Sequence, residues 1–208
     1  ISCEHLRNLG LPAGPVPRTI RLASHQRSGT NHDQLPPRLS RWGLYFFTVN
    51  LADRRSTLLV DAISQLRDAV RYAQARHYFE IHAWVVLPDH IHAIWRLPPG
   101  DSDYSLRWRL IKSCFSRNLP RLEAGSRSRR RKRERSIWQR RFWEHLLRDQ
   151  RDYRMHMDYV HFNPVKHGYV SRAAEWPYST FHRYVASGVY TADWGVSANG
   201  FQGHFGEA

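Results

Sequence analysis

Apolar positions in the middle of the chain follow the periods of strands and helices. Aromatic and β-branched runs alternate with segments whose apolar residues recur at three- and four-residue steps. In chain order they predict a strand at 44–50, an amphipathic helix at 57–76, strands at 79–87 and 90–97, and a helix at 102–118. Because only the Pro88-Asp89 turn separates the second and third strands, these two are expected to form a hairpin.

The order strand, helix, strand, strand, helix is most of a ferredoxin-like split β-α-β motif. We therefore predict an α+β fold in which helices pack on one face of an antiparallel sheet. Residues 137–143 mix aromatic and cationic side chains and could supply the last strand or a base-stacking edge. An added C-terminal helix should begin near Asp149 and end near Asn163, because Pro164 disfavours a helical residue before it.

Composition divides the chain into one domain and three less regular segments. Residues 1–40 are rich in Pro, Gly, Ser and Arg and predict a disordered or loosely docked leader. The folded domain is expected at 41–185, with an exposed basic loop at 121–136 and a C-terminal tail at 186–208. The hydrophobic fraction of 41% is enough for one ordinary core.

The net charge of the chain indicates that this domain binds a polyanion. Its 32 Lys and Arg residues against 18 Asp and Glu give a formal net charge of +14 and a pI near 10.5. Nucleic acid is the expected partner, since cationic side chains release counterions from phosphates, although a basic but inert surface stays open. Two cysteines exclude a disulfide framework and a cysteine zinc site, and with no membrane or signal segment we expect a cytoplasmic location.

Two groups of residues could carry chemistry. His90 and His92 are two apart in a predicted strand, so both rings should face one side and could converge on a metal ion. With 13 histidines in the chain, such a pair also arises by chance. Tyr159 and Asn163 share one face of the last helix, with His156 on the same side, so this helix could deliver a phenol and a neutral oxygen ligand together. A lone tyrosine is more often a packing residue.

Five ordered segments make the chain similar to a known family. They are YFFTVNL at 45–51, AWVVLPDHIH at 83–92, WQRRFWEH at 138–145, DYVHFNPVKHG at 158–168 and WPYSTF at 176–181. The chain resembles the REP-associated tyrosine transposases, a family of HUH endonucleases that act on single strands. The resemblance covers about 42–194; the leader and the arginine block are not required by it.

The resemblance implies a mechanism. Tyr159 would be the nucleophile that forms a 5′-phosphotyrosine, with His90, His92 and Asn163 as ligands of Mg²⁺ or Mn²⁺. The substrate would be a hairpin of a repetitive extragenic palindrome with a single-stranded guide beside it, cut and rejoined without a nucleotide cofactor. Asp89 could orient a histidine ring through a hydrogen bond. The residues expected to hold DNA phosphates are Arg107, Arg109, Lys112, Arg140 and Arg141.

Two other functions stay open from the residues alone. One is a nucleic-acid-binding module without catalysis, since the same sheet-and-helix architecture serves such domains. The other is a zinc hydrolase that uses His90, His92 and a third histidine. The pattern leaves open a monomer or a homodimer, and whether Tyr159 serves the histidines of its own chain.

Overall fold

A computed structural model describes residues 43–119 and 137–195. Four strands form one antiparallel sheet with the order β2-β3-β1-β4. The strands are β1 at Leu44–Asn50, β2 at Glu80–Val86, β3 at His90–Arg96 and β4 at Trp143–Leu146. The central strand β1 pairs with both β3 and β4, so that Asn50 is opposite His90 and Phe46 is opposite His145.

Helices cover one face of this sheet, as the sequence predicted. They are α1 at Leu58–Asp61, α2 at Ile63–Arg76 and α3 at Tyr104–Asn118. Phe47, Trp95 and Trp108 are fully buried in the core between this layer and the sheet. The two crossover connections and the strand order are those of the ferredoxin-like split β-α-β fold. The predicted α+β class is therefore confirmed.

The added helix α4, Gln150–Lys166, packs on the opposite face of the sheet. Side chains alternate along β1, so Phe47 faces α2 and α3 while Phe46 faces Tyr159 and Val160 of α4. Asp149 caps the helix by accepting a hydrogen bond from the Asp152 N–H at 2.9 Å. The start of this helix was therefore predicted correctly.

The end of α4 was predicted wrongly. The helix continues through Pro164 for one further turn, instead of ending at Asn163. It stops at Gly168, whose φ of 71° gives the left-handed residue of a Schellman motif. In this motif Gly168 N–H bonds Val165 O at 2.9 Å and Tyr169 N–H bonds Pro164 O at 3.0 Å. These bonds satisfy carbonyl groups of the last helical turn. They therefore determine where α4 ends, although Pro164 disfavours a helical conformation at Asn163.

Other boundaries differ by a few residues. The helix expected at 57–76 is interrupted at Ala62. The last strand begins only at Trp143, and residues 137–142 approach the sheet through a single bridge between Leu51 and Trp138. The late start of β4 follows from the two arginines at 140 and 141. Both are exposed, and they would lose hydration inside a sheet.

The chain continues to pack beyond the boundary predicted for the tail. After α4 come a short 3-10 helix, Ala173–Glu175, and α5, Phe181–Ala186. Tyr190 then returns to α4, where its hydroxyl donates to Asp158 Oδ1 at 2.7 Å, and its ring is 4.6 Å from that of Trp194. The expectation of little core after residue 186 was therefore wrong for these residues.

Several predictions from the sequence fall on other parts of the chain. The leader at 1–40, the basic loop at 121–136 and the tail beyond residue 195 lie outside the described residues. Within the described ranges, no helix is long and apolar enough to cross a membrane.

Candidate active site

Two histidines lie side by side on β3, on the sheet face that α4 covers. Strand alternation directs His90 and His92 to this face, while Ile91 between them joins the core on the other face. The two ring centroids are 4.9 Å apart and both side chains are buried. The structure therefore brings the predicted pair together in the expected orientation.

A carboxylate holds the ring of His90. Nδ1 of His90 lies 2.7 Å from Asp89 Oδ1, and Oδ2 of the same carboxylate lies 3.0 Å from Nε of Arg54. Burial lowers the pKa of His90 below its ordinary value, although the hydrogen bond to Asp89 acts in the opposite direction. The ring is therefore neutral at pH 7, donates from Nδ1 and carries its lone pair on Nε2.

Nε2 of His90 is the atom that identifies this place as a site. It is buried and has no hydrogen-bond partner among the described residues. Buried polar atoms are usually paired, so this nitrogen, beside the rings of His92 and His167, is available to a ligand. An imidazole whose other nitrogen is bound by a carboxylate is the arrangement found around protein-bound metal ions.

His92 is oriented from the neighbouring strand. Its Nδ1 lies 2.9 Å from Oγ1 of Thr48, the residue opposite it in β1. Its ring is stacked on Phe46 with centroids 5.6 Å apart. With Nδ1 engaged by the hydroxyl, Nε2 is the nitrogen through which His92 could bind a metal ion.

The helix α4 carries Tyr159 to the histidine pair. Its ring centroid is 5.2 Å from that of His92, in an edge-to-face contact, and the side chain is only 1% exposed. Asn163 follows one turn later on the same helix face and is fully buried. The phenol, both imidazoles and the amide are therefore on the same side of the sheet, and all belong to one chain.

Two residues near these groups were missed in the sequence. Lys166 Nζ lies 3.3 Å from the Tyr159 hydroxyl and 4.8 Å from the centre of its ring. Its position seven residues after Tyr159, on the same face of a longer helix, was the signal that could have revealed it. The exposed ring of His167 is 5.2 Å from that of His90. Both residues were missed because the helix was predicted to end before them, near Asn163.

His156 does not join the pair, although it was expected on the side of Tyr159. Phe46 lies between, 4.7 Å from His156 and 5.6 Å from His92 by ring centroids. His156 instead forms a cluster with His145 and Asp152, three residue types that can hold a metal ion. However, His156 Nδ1 is 2.8 Å from the Asp152 carbonyl oxygen and His145 Nε2 is 2.9 Å from Asp152 Oδ2. These hydrogen bonds are sufficient to explain why the three residues lie together.

One candidate DNA contact is excluded by its burial. Arg107 was expected outside on α3, but it is 2% exposed and its guanidinium is used within the fold. Its Nη2 bonds Asp101 Oδ2 at 2.6 Å and the Tyr78 carbonyl at 2.7 Å. The guanidinium of Arg107 therefore connects the start of α3 to the segment after α2, and it is not accessible to DNA.

The other candidate cations remain accessible to different degrees. Arg109, Arg140 and Arg141 are exposed. Lys112 is half-buried near the rings of Trp138 and Phe142, at 5.7 and 5.3 Å, and donates to Gln139 O at 3.1 Å. This burial lowers the pKa of Lys112 to about 8, so the lysine is less fully charged than the arginines.

Comparison with known proteins assigns a family to this geometry. A family model described as "Transposase IS200 like" matches residues 40–163. The chain is 48% identical over 159 residues to a REP-associated tyrosine transposase of Escherichia coli (strain K12), which covers 76% of this chain and 88% of that protein. The chain belongs to the REP-associated tyrosine transposases, within the IS200-like family. As a member of this family it is an enzyme.

The fold of this transposase is also that of a solved relative. A structure of a REP-associated tyrosine transposase bound to a REP hairpin shares 42% sequence identity and has a TM-score of 0.69. The match covers 90% of this chain and 98% of the solved chain. The ferredoxin-like sheet with its added helix is therefore the family's own architecture, and the transposase motifs lie on the elements that form the site.

Proposed function

We propose that the chain is a metal-dependent endonuclease and strand transferase of single-stranded DNA, with Tyr159 as its nucleophile. One observation carries this proposal: the phenol ring of Tyr159 lies 5.2 Å from His92, beside His90 with its unpaired buried nitrogen. A tyrosine that only packed in the core would not require two buried imidazoles beside it. Family membership supports the same reaction class.

The donor set fits a divalent cation held by His90, His92 and Asn163. Nε2 of His90 supports this fit, because Asp89 fixes the ring so that its lone pair is available to a ligand. Two imidazoles and one amide leave coordination positions for phosphate and water, as Mg²⁺ or Mn²⁺ requires. Such an ion supplies Lewis-acid stabilisation of charge on the scissile phosphate, which contributes several kcal/mol in enzymes of this kind.

The residues of the chain perform the covalent chemistry. The Tyr159 oxygen attacks the scissile phosphorus in line, which gives a 5′-phosphotyrosine and a free 3′-hydroxyl. Since the linkage keeps the energy of a phosphodiester, a 3′-hydroxyl can later attack it and join two strands without a nucleotide cofactor. Tyr159 and both histidines are supplied by one chain, which supports cleavage by each protomer within its own site.

The proposed substrate is a hairpin of a repetitive extragenic palindrome with an adjoining single strand. The solved relative is a REP-associated tyrosine transposase bound to a REP hairpin, and the match covers 98% of that chain. The net charge of +14 fits a partner with many phosphates. Arg109, Arg140 and Arg141 are the exposed cations that we assign to phosphate contacts, with a smaller part for Lys112.

Replacement of the nucleophile tests the proposal directly. Wild-type protein incubated with hairpin DNA and Mg²⁺ should give a denaturant-resistant protein–DNA adduct, and Tyr159→Phe should abolish it while DNA binding is kept. Tyr78→Phe is the matched control, since Tyr78 is 62% exposed and contributes its carbonyl, not its hydroxyl, to a contact. An adduct formed by Tyr159→Phe would refute the assignment.

Three further measurements distinguish the alternative mechanisms. Mixing Tyr159→Phe with His90→Ala should restore no adduct if each chain uses its own residues; recovery would show that Tyr159 acts in a partner. Chelation of divalent ions should stop the reaction of the wild type. Stoichiometric zinc in the purified protein, together with DNA hydrolysis and no adduct, would instead indicate a zinc hydrolase in which His167 is the third imidazole.

A further inference from the structure

Lys166 lies against the reacting oxygen of Tyr159. Its Nζ is 3.3 Å from the phenolic oxygen and 4.8 Å from the ring centroid. The two residues are two turns apart on one helix, and the Schellman motif at Gly168 fixes the final turn that carries the lysine. The contact is therefore part of a regular element and does not depend on a loop.

We propose that Lys166 is a catalytic residue whose ammonium group donates a hydrogen bond to the Tyr159 oxygen in the transition state. The inference rests on the proposed function and adds a group that acts on the Tyr159 oxygen, the atom that bonds the scissile phosphorus. The two histidines on β3 and the lysine on α4 then approach the reaction from different elements.

The chemistry follows from the bonds that change. In cleavage the Tyr159 oxygen bonds phosphorus, the bond from phosphorus to the 3′-oxygen breaks, the phenolic proton passes to water and the 3′-oxygen takes up a proton. In joining, a 3′-hydroxyl oxygen attacks the same phosphorus and loses its proton. The bond to Tyr159 breaks, and its electron pair stays on the phenolic oxygen, which is then protonated.

Both directions pass through one transition state, in which the Tyr159 oxygen carries partial negative charge. A charge-assisted hydrogen bond at this oxygen is strong because the tyrosine is 1% exposed and little water competes there. A single positioned donor of this kind typically contributes about 100-fold or more in rate. Lys166 itself is exposed, so its removal leaves no cavity in the core.

Lys166→Ala, Lys166→Arg and the control Arg71→Ala test this role. Arg71 is an exposed cation on α2, behind the sheet, so its loss removes one charge without touching the site. With saturating hairpin DNA, we expect Lys166→Ala to slow adduct formation and the joining of purified adduct to a 3′-hydroxyl strand, each by about 100-fold. Lys166→Arg should recover much of the loss, and Arg71→Ala should match the wild type.

A substrate with sulfur in place of the scissile 3′-oxygen identifies the atom that Lys166 assists. Thiolate leaves without a proton donor, so a residue that acts on the 3′-oxygen is dispensable with this substrate. Since Lys166 contacts the other oxygen, the deficit of Lys166→Ala relative to the wild type should persist. The proposal is overturned if sulfur removes the deficit, if the variant cleaves at the wild-type rate, or if only DNA affinity falls. Failure of the wild type to form an adduct would instead contradict the proposed function.

Discussion

At the scale of single residues, the site depends on neighbours that fix each reactive group. Asp89 binds His90 and Arg54 at once, and Thr48 binds His92 from the next strand. These contacts select the ring nitrogen that faces inward and restrict rotation of each imidazole. The orientation of both imidazoles is therefore set by side chains of the protein itself.

Asp89→Asn should weaken metal binding with little change in folding. The amide cannot hold the His90 tautomer as the carboxylate does, and loss of such a partner typically lowers metal affinity by about 10- to 100-fold. Titration of the purified variant with Mn²⁺ measures this change. Asp68→Asn, an exposed substitution on α2, is the control, and equal Mn²⁺ affinity in both variants would contradict the role of Asp89.

Sequence reasoning located side chains that periodicity and motif order define, and missed those that depend on tertiary contacts. His90, His92 and Tyr159 were expected together, and the structure brings them together. Arg54 lies in a turn, where side chains have no regular spacing, so its contact with Asp89 could not be predicted. Arg107 was misplaced because its guanidinium bonds the Tyr78 carbonyl and the Asp101 carboxylate, contacts that a helical pattern does not reveal.

At the scale of elements, α4 connects the site to the edge strand of the sheet. Its contacts with β2 include His82, whose Nδ1 is 3.0 Å from the Tyr153 hydroxyl. The two faces of β1 were predictable, since side chains alternate along a strand and Phe47 and Val49 lie on the face opposite Phe46. The length of α4 was not, because the hydrogen bonds that end a helix depend on the residues after it.

Acid should loosen the contact between β2 and α4. Burial lowers the pKa of His82 to about 4, against about 6.5 in the unfolded chain. Between these values the unfolded state binds more protons, so stability is complete above about pH 6.5 and is lost as pH falls toward 4. Urea unfolding of the wild type should therefore lose up to about 1.4 kcal/mol per pH unit more than that of His82→Gln. Parallel pH profiles would count against this role.

At the scale of the whole molecule, the excess of positive charge favours a polyanionic partner. The exposed cations at 140 and 141 lie on the approach to β4, in the segment bridged to Leu51 beside the site. The net charge of +14 predicts affinity that falls steeply with salt. The fold class could be predicted from the order of elements alone, but the distribution of this charge around the site required the structure.

Replacing both Arg140 and Arg141 with alanine should reduce the salt dependence of binding. Each phosphate contact on a single strand contributes about 0.7 to the slope of log affinity against log salt, so the slope should fall by about 1.4. Fluorescence anisotropy with labelled hairpin DNA at several salt concentrations measures it. The double variant Arg71→Ala with Arg76→Ala, on α2 behind the sheet, should keep the wild-type slope. Equal slopes for both double variants would remove the assignment.

The helix α4 also determines how a nucleic acid can approach. In modules that read a single strand across an open four-stranded sheet, bases rest on aromatic side chains of the exposed face. Here that face is closed, since Phe46, Val85 and Ile94 are fully buried beneath α4. In this chain that face of the sheet instead forms a second core with α4, so bases cannot stack on Phe46, Val85 or Ile94. Under the proposed function, the groups around the edge of this covered face would have to select the position at which a strand is cut.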